Sequence, residues 1–149
     1  MAPGTPNPAK MLLRNEVASR IASLSAEEKT RQSRVVYEKV INHPWYKSSK
    51  RIALYMSTDQ EVDTARLLEH VKQKGAAFVP QYAGGHMKML RVETGDEAAM
   101  DSGSRLGHGG GYYDRFLAKV VALAFNCQMV EKVPVEDTDQ KMDDVIAAD

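Results

Sequence analysis

The chain has 149 residues, of which 43% are apolar and 27% are charged, a composition typical of one globular domain with a buried core. Its 20 lysines and arginines balance 20 aspartates and glutamates, so no overall field draws it to nucleic acid or to an anionic membrane. The single cysteine excludes an internal disulfide framework, and no apolar run reaches transmembrane length. Because the N-terminal residues also lack a signal or transit pattern, we expect a cytoplasmic protein.

The first part of the chain predicts two helices. Apolar residues recur at helical spacing across 10–24, at Leu13, Val17, Ile21 and Leu24. Ser25 stands three residues before Glu28, which predicts a capping box at the start of a second helix. The Asn-His-Pro sequence at 42–44 should end that helix.

Strands and helices alternate in the rest of the chain. A third helix is predicted between a cap at Asp63 and a stop at Gly75, and a short one from about Tyr112. Four segments have the composition of strands: 51–57, 76–82, 86–92 and 120–125. This alternation indicates an α/β sandwich with a largely parallel sheet. The four acidic residues grouped in the tail, Asp137, Asp139, Asp143 and Asp144, are expected to be solvated surface.

The segment SRLGHGGGYYDRF at 104–116 is the most unusual in the chain, since it holds four of the 10 glycines. Consecutive glycine amides that lead into a helix can form an anion nest, for which phosphate is the usual ligand. A plain glycine turn is the alternative. Asp114 follows directly; its carboxylate could ligate Mg²⁺ beside a phosphate, or could merely favour the first turn of its helix.

Three further side chains are candidates for binding. Lys10 and Arg14 lie four residues apart, hence on one helix face, and could reach a polyphosphate together, although such pairs are often only solvated. Glu61 lies in a loop just beyond a predicted strand, where α/β proteins usually bind ligands; an exposed loop carboxylate is the alternative. The histidines and Cys127 form no metal-binding spacing, and Trp45 and Tyr46 are expected to pack.

The sequence RLGHGGGYYDRFL at 105–117 resembles the signature of the 5-formyltetrahydrofolate cyclo-ligase family. That signature is Arg-Leu-Gly, a variable residue, Gly, a variable residue, Gly, Tyr or Phe, Tyr and Asp. Other segments agree in order, among them AKMLLR, KRIALYMSTDQEVDT, FVPQY, VALAF and VPVEDTDQKMDD. The resemblance implies a three-layer, Rossmann-like α/β sandwich with a mostly parallel sheet. It also implies an enzyme that uses Mg²⁺ and ATP to convert 5-formyltetrahydrofolate to 5,10-methenyltetrahydrofolate, ADP and phosphate.

The resemblance also implies roles for particular residues, although it assigns no catalytic residue. The implied ATP contacts are Lys10, Arg14, Arg105, Leu106, Gly107, His108, Gly109, Gly110, Gly111, Tyr112 and Tyr113. The implied folate contacts are Met56, Glu61 and Tyr112. The implied magnesium ligands are Asp114 and Asp139. Its partners would be small molecules, without nucleic acid or membrane, and we expect a monomer.

The chain departs from the family in its length, which is short by roughly a quarter for a single domain spanning 1–149. The missing parts fall near 100/101 and 119/120, and the first would remove a central strand of the sheet. Losing that strand would leave two open edges and would weaken the support of the glycine segment. The alternative to an enzyme is therefore a non-catalytic shortened isoform that binds nucleotide or folate weakly at most, or a product without a stable fold.

Overall fold

A computed structural model describes residues 7–83, 85–92, 119–135 and 141–149. In this part of the chain the helices are α1 (Pro8–Ala22), α2 (Ala26–Ile41), α3 (Pro44–Ser48), α4 (Ala65–Lys74) and a short 3-10 helix (Asn126–Gln128). The strands are β1 (Arg51–Ala53), β2 (Ala76–Ala83), β3 (His86–Arg91), β4 (Val121–Ala124) and β5 (Asp144–Ala147). The predicted α/β class is confirmed.

Local capping explains where the first two helices begin. Asn7 caps α1 by accepting a hydrogen bond from the Ala9 N–H at 3.0 Å. Ser25 caps α2 as predicted, since its hydroxyl accepts from the Glu28 N–H at 3.1 Å. The other half of the predicted capping box was wrong, because the Glu28 carboxylate turns along the helix to Arg31 and Gln32.

Helix α4 ends at Gly75 as predicted, but its N-cap is Thr64, one residue after the predicted Asp63. The Asp63 carboxylate accepts from the Ala65 N–H at 2.9 Å, and Gly75 ends the helix. A β-carbon at Gly75 would stand 2.3 Å from the carbonyl oxygen of Lys50. Only glycine therefore lets the chain leave α4 so close to the residue that precedes β1.

The described strands form two sheets. In the first, β1 pairs with β2 in parallel, with Ile52 opposite Ala77, and β2 pairs with β3 as an antiparallel hairpin. In the second, β4 and β5 are parallel, with Leu123 opposite Ile146. Strand β1 is shorter than the predicted 51–57, because after Leu54 the chain turns into a loop that bonds mainly to itself.

The end of the acidic tail forms a strand that the sequence pattern did not predict, although Asp143 and Asp144 are exposed as expected. Residues Asp144–Ala147 form β5, in which Ile146 is buried. The preceding Asp143 exchanges two hydrogen bonds with the backbone of Val120, at 2.6 and 2.8 Å. Strand β5 has only four residues and follows a run of acidic side chains, so its own sequence does not indicate a strand. It forms by pairing with β4, a distant segment of the chain.

One hydrophobic core joins the two sheets to the helices. Its most deeply buried side chains come from α2, the 55–64 loop, α4 and the end of β4: Val36, Val62, Val71 and Phe125. Tyr46 is buried as the sequence predicted, and its hydroxyl bonds to His70 Nδ1 at 2.5 Å. In the described part of the chain, no helix has the length and apolarity needed to cross a bilayer.

Candidate functional site

A groove of about 590 Å³ runs beside helix α1. Its walls are one face of α1, the segment 133–135 and one residue of the 55–64 loop: Lys10, Leu13, Arg14, Val17, Ala18, Ile21, Gln60, Val133, Pro134 and Val135. The α1 residues recur every three or four positions, so a single helix face supplies that wall.

The cationic part of the groove comes from the N-terminal half of α1. Lys10 and Arg14 both line it, one helical turn apart. The first turn of a helix also carries a partial positive charge. This end of the groove is therefore suited to an anion.

The remaining wall is mostly apolar. Val17 and Ile21 continue the helix face, and Val133 and Val135 stand across the groove. These two valines are 52% and 75% exposed. A groove with a basic end and an apolar remainder suits a ligand that carries both an anionic group and a flat apolar group.

The 55–64 loop reaches this groove through Gln60, which is one of the lining residues, and the candidate Glu61 is the next residue of the loop. The Glu61 carboxylate accepts from the Thr58 hydroxyl at 2.8 Å and from the Thr58 N–H at 3.3 Å. The Tyr55 hydroxyl donates to the Val62 carbonyl at 2.8 Å and spans the loop. Glu61 is therefore held in a defined position by its own loop.

The candidate residues are thus only partly brought together. Lys10, Arg14 and the loop that bears Glu61 meet at the groove, whereas Met56 is partly buried against the hydrophobic core. The glycine segment with Arg105–Tyr113, Asp114 and Asp139 lie outside the described residues. Within the ranges that the structure describes, no three histidine, cysteine, aspartate or glutamate side chains are grouped so that they could hold a metal ion.

The apolar wall at 133–135 was not predicted from the sequence. Its signal was the run Val-Pro-Val inside an otherwise charged tail, which a solvated surface would not require. The contact with α1 crosses more than a hundred positions of the chain, so local patterns could not place it.

Comparison with known proteins bears on both the fold and the class. Two solved structures share the fold: a 5,10-methenyltetrahydrofolate synthetase from Mycoplasma pneumoniae and one from Aquifex aeolicus. The first has a TM-score of 0.71 at 23% identity and covers 94% of this chain and 99% of its own. The second has a TM-score of 0.73 at 26% identity and covers 91% of this chain and 88% of its own.

The sequence comparisons define the class more closely. A 5-formyltetrahydrofolate cyclo-ligase from Mus musculus is 33% identical, over all of this chain and 98% of the relative. A probable 5-formyltetrahydrofolate cyclo-ligase from Caenorhabditis elegans is 28% identical, over 92% of this chain and 91% of the relative. The model of the 5-formyltetrahydrofolate cyclo-ligase family matches residues 6–102 and 94–148. The fold and the relatives are those of α/β enzymes, and this chain belongs to the 5-formyltetrahydrofolate cyclo-ligase family, which confirms the resemblance read from the sequence.

Two features of these matches concern length. The family model matches in two pieces whose ends overlap at 94–102. The alignment with the mouse relative runs over 199 positions and takes in all 149 residues of this chain, so at least 50 positions hold residues of the relative alone.

Proposed function

We propose that this chain is an ATP-dependent ligase that converts 5-formyltetrahydrofolate to 5,10-methenyltetrahydrofolate and releases ADP and phosphate. Membership of the cyclo-ligase family over nearly the whole chain is the observation that carries this proposal. The non-catalytic alternative is not favoured, because the match runs through both ends of the chain.

The basic end of the groove is the proposed binding place for the phosphates of ATP. Lys10 and Arg14 supply two positive charges on one face of α1, and the helix N-terminus adds its dipole. Both residues were singled out by their spacing and by the family resemblance. Since both side chains line the same groove, this supports the proposal that they bind the phosphates together.

The apolar remainder of the groove is the proposed place of the nucleotide base. Val17 on one side and Val133 and Val135 on the other would cover the two faces of a flat ring. Burial of the exposed valines by the base would contribute roughly 25 cal/mol for each Å² of apolar surface removed from water. This arrangement explains why apolar side chains stand exposed opposite a basic pair.

The loop beside the groove is the proposed contact for the folate. Glu61 carries a carboxylate that suits N–H donors such as those of a pterin ring, and Thr58 restricts its orientation. Met56, the other proposed folate contact, lies in the same loop. Tyr112 of the glycine segment would be the third folate contact.

The glycine segment and two aspartates are proposed to complete the nucleotide site. The backbone amides of 105–113 would contact the phosphates. Asp114 and Asp139 would hold Mg²⁺, and two carboxylates are a donor set that suits this ion. Bound there, Mg²⁺ would supply charge neutralisation for the transferred phosphoryl group.

In the proposed reaction the formyl oxygen attacks the γ-phosphorus of ATP, and the bond to ADP breaks. N10 of the folate then bonds to the activated formyl carbon and releases its proton, and phosphate leaves with the oxygen it acquired. The chain's own task is to hold the two substrates in line and to neutralise charge, which accounts for the basic pair and the oriented carboxylate.

We also propose a single three-layer, Rossmann-like domain over 1–149 that lacks one central strand of the family's sheet. The two-piece family match supports a missing segment near 100/101, and the 50 or more unmatched positions support a shortened chain; a second missing segment near 119/120 is proposed from the resemblance alone. A cytoplasmic monomer stays our expectation.

A thermal melt of the purified chain tests whether this shortened domain builds the nucleotide site. We expect a cooperative transition whose midpoint rises with Mg-ATP, because a ligand that binds only the folded state stabilises it. A midpoint that neither Mg-ATP nor 5-formyltetrahydrofolate moves would contradict the proposed function.

A further inference from the structure

Helix α2 contacts the 55–64 loop at two points that lie one on each side of Glu61. The Lys29 ammonium donates to the carbonyl oxygen of Asp59 at 2.9 Å. The Ser33 hydroxyl accepts from the backbone N–H of Asp63 at 3.0 Å. Since Lys29 and Ser33 are one helical turn apart, both contacts come from the same face of α2.

The helix that makes these contacts is itself firmly held. Val36 of α2 is fully buried in the core. Gln32, between the two contact residues, is 3% exposed and accepts a hydrogen bond from the Asn126 N–H at 2.8 Å. A loop fixed at two points to such a helix loses most of its freedom in the folded state, and the bonds must offset that entropy.

We propose that Lys29 and Ser33 are positioning residues for the folate. They bond to the backbone of Asp59 and Asp63, and through these two bonds they hold the part of the loop that carries the Glu61 carboxylate. The inference rests on the proposed folate contact of Glu61. It adds a role for α2, which the sequence analysis treated only as a structural helix.

The chain offers a closely matched control for Lys29. Lys39, on the same helix, donates to the carbonyl oxygen of Ala147 at 2.8 Å, far along the chain from the loop. Both bonds join a lysine ammonium to one backbone carbonyl at an exposed place. Lys29→Met and Lys39→Met therefore remove the same type of contact, and only the first removes it from the loop.

The first measurement needs no ligand. Amide hydrogen exchange at 58–62 should become several-fold faster in the double variant Lys29→Met/Ser33→Ala. When Lys29 is replaced by arginine instead of methionine, exchange at 58–62 should stay slow, because arginine can still donate to the Asp59 carbonyl. Lys39→Met should leave exchange at 58–62 unchanged. Unchanged exchange in the double variant would overturn the positioning role, whatever the chain binds.

The second measurement compares dissociation constants by calorimetry. We expect the double variant to bind 5-formyltetrahydrofolate about tenfold more weakly, since each lost hydrogen bond weakens binding by a factor of a few. Its affinity for Mg-ATP should change by less than about twofold, and Lys39→Met should match the unmodified chain for both ligands. Equal weakening for the two ligands, or the same folate loss in Lys39→Met, would show a general structural effect and overturn the proposal.

Glu61→Gln separates this inference from the function on which it rests. In that background the double variant should lose little further folate affinity, because the two contacts act through Glu61. If Glu61→Gln itself leaves folate binding unchanged, the proposed folate contact fails. Full additivity between Glu61→Gln and the double variant would overturn the positioning role alone.

Discussion

The side-chain oxygen of Gln32 accepts a hydrogen bond from the backbone N–H of Asn126 at 2.8 Å, across 94 positions of the chain. The nitrogen of the same amide donates to the Glu28 carboxylate at 2.9 Å. Asn126 opens the 3-10 helix that follows β4. Helix α2 therefore contacts two distant parts of the fold. Gln32 bonds to the end of the second sheet, and Lys29 and Ser33 bond to the 55–64 loop.

Gln32→Leu should therefore destabilise the fold by about 1–3 kcal/mol, because it leaves the Asn126 N–H without its acceptor in a partly buried place. The free energy of unfolding from a denaturant titration measures this effect. Gln73→Leu, at an exposed position of α4, is the control and should change stability by less than about 0.5 kcal/mol. Equal effects of the two variants would mean that the Gln32 bond contributes nothing specific.

Glu28 should make the fold sensitive to acid. Hydrogen bonds from Arg31 first, and then Gln32, lower the pKa of Glu28 from an ordinary 4.5 to about 2. A depressed pKa in the folded state contributes stability above the unfolded value, and this stability is lost as the pH falls from about 4.5 towards 2.

Glu28→Gln should accordingly flatten the acid limb of a plot of unfolding free energy against pH. The effect should be modest, since the ion pair lies at the surface. Glu27→Gln, at the neighbouring position in the first turn of α2, provides the comparison. An acid limb as steep in Glu28→Gln as in the unmodified chain would contradict the assignment.

Lys10→Met and Arg14→Met should each weaken binding of Mg-ATP by about tenfold or more, since each removes a charge-assisted contact to phosphate. Affinity for 5-formyltetrahydrofolate should stay within about twofold in both. Arg34→Met removes an exposed cation from α2 and serves as the control. Calorimetric titration with each ligand gives the two affinities. Unchanged ATP affinity in both variants would show that Lys10 and Arg14 do not bind the phosphates.

Val135→Asp should weaken Mg-ATP binding, because it places a carboxylate in the apolar part of the groove and disfavours burial of a base. The matched control is Val145→Asp, since Val145 is also exposed but lies on β5 outside the groove. We expect the loss only in the first variant, by about tenfold. If both variants lose Mg-ATP affinity to a similar degree, the cause is a general loss of stability. If neither loses affinity, the base does not bind in the apolar part of the groove.

Sequence patterns predicted the elements whose causes are local. Ser25 caps α2 and Gly75 ends α4 because each acts on residues within one turn. Strands 76–82 and 86–92 were recognised by their apolar composition. The end of β1 and the existence of β5 escaped, because a strand of three or four residues is defined by its partner rather than by its own sequence.

The candidate site shows the same division. The spacing of Lys10 and Arg14 predicted one helix face, and both line the groove. The wall formed by Val133 and Val135 was missed, because only the tertiary fold brings 133–135 against α1. The hydrogen bond from Thr58 that orients Glu61 likewise depends on a loop conformation that no spacing rule predicts.

The central claim is that this shortened chain still performs the family's reaction. The most direct measurement is the absorbance of 5,10-methenyltetrahydrofolate after 5-formyltetrahydrofolate and Mg-ATP are added to the purified chain. We predict an absorbance increase that requires ATP and is lost with the double variant Lys10→Met/Arg14→Met. No increase, under conditions in which the mouse relative is active, would contradict the claim and leave a folded family member without the activity.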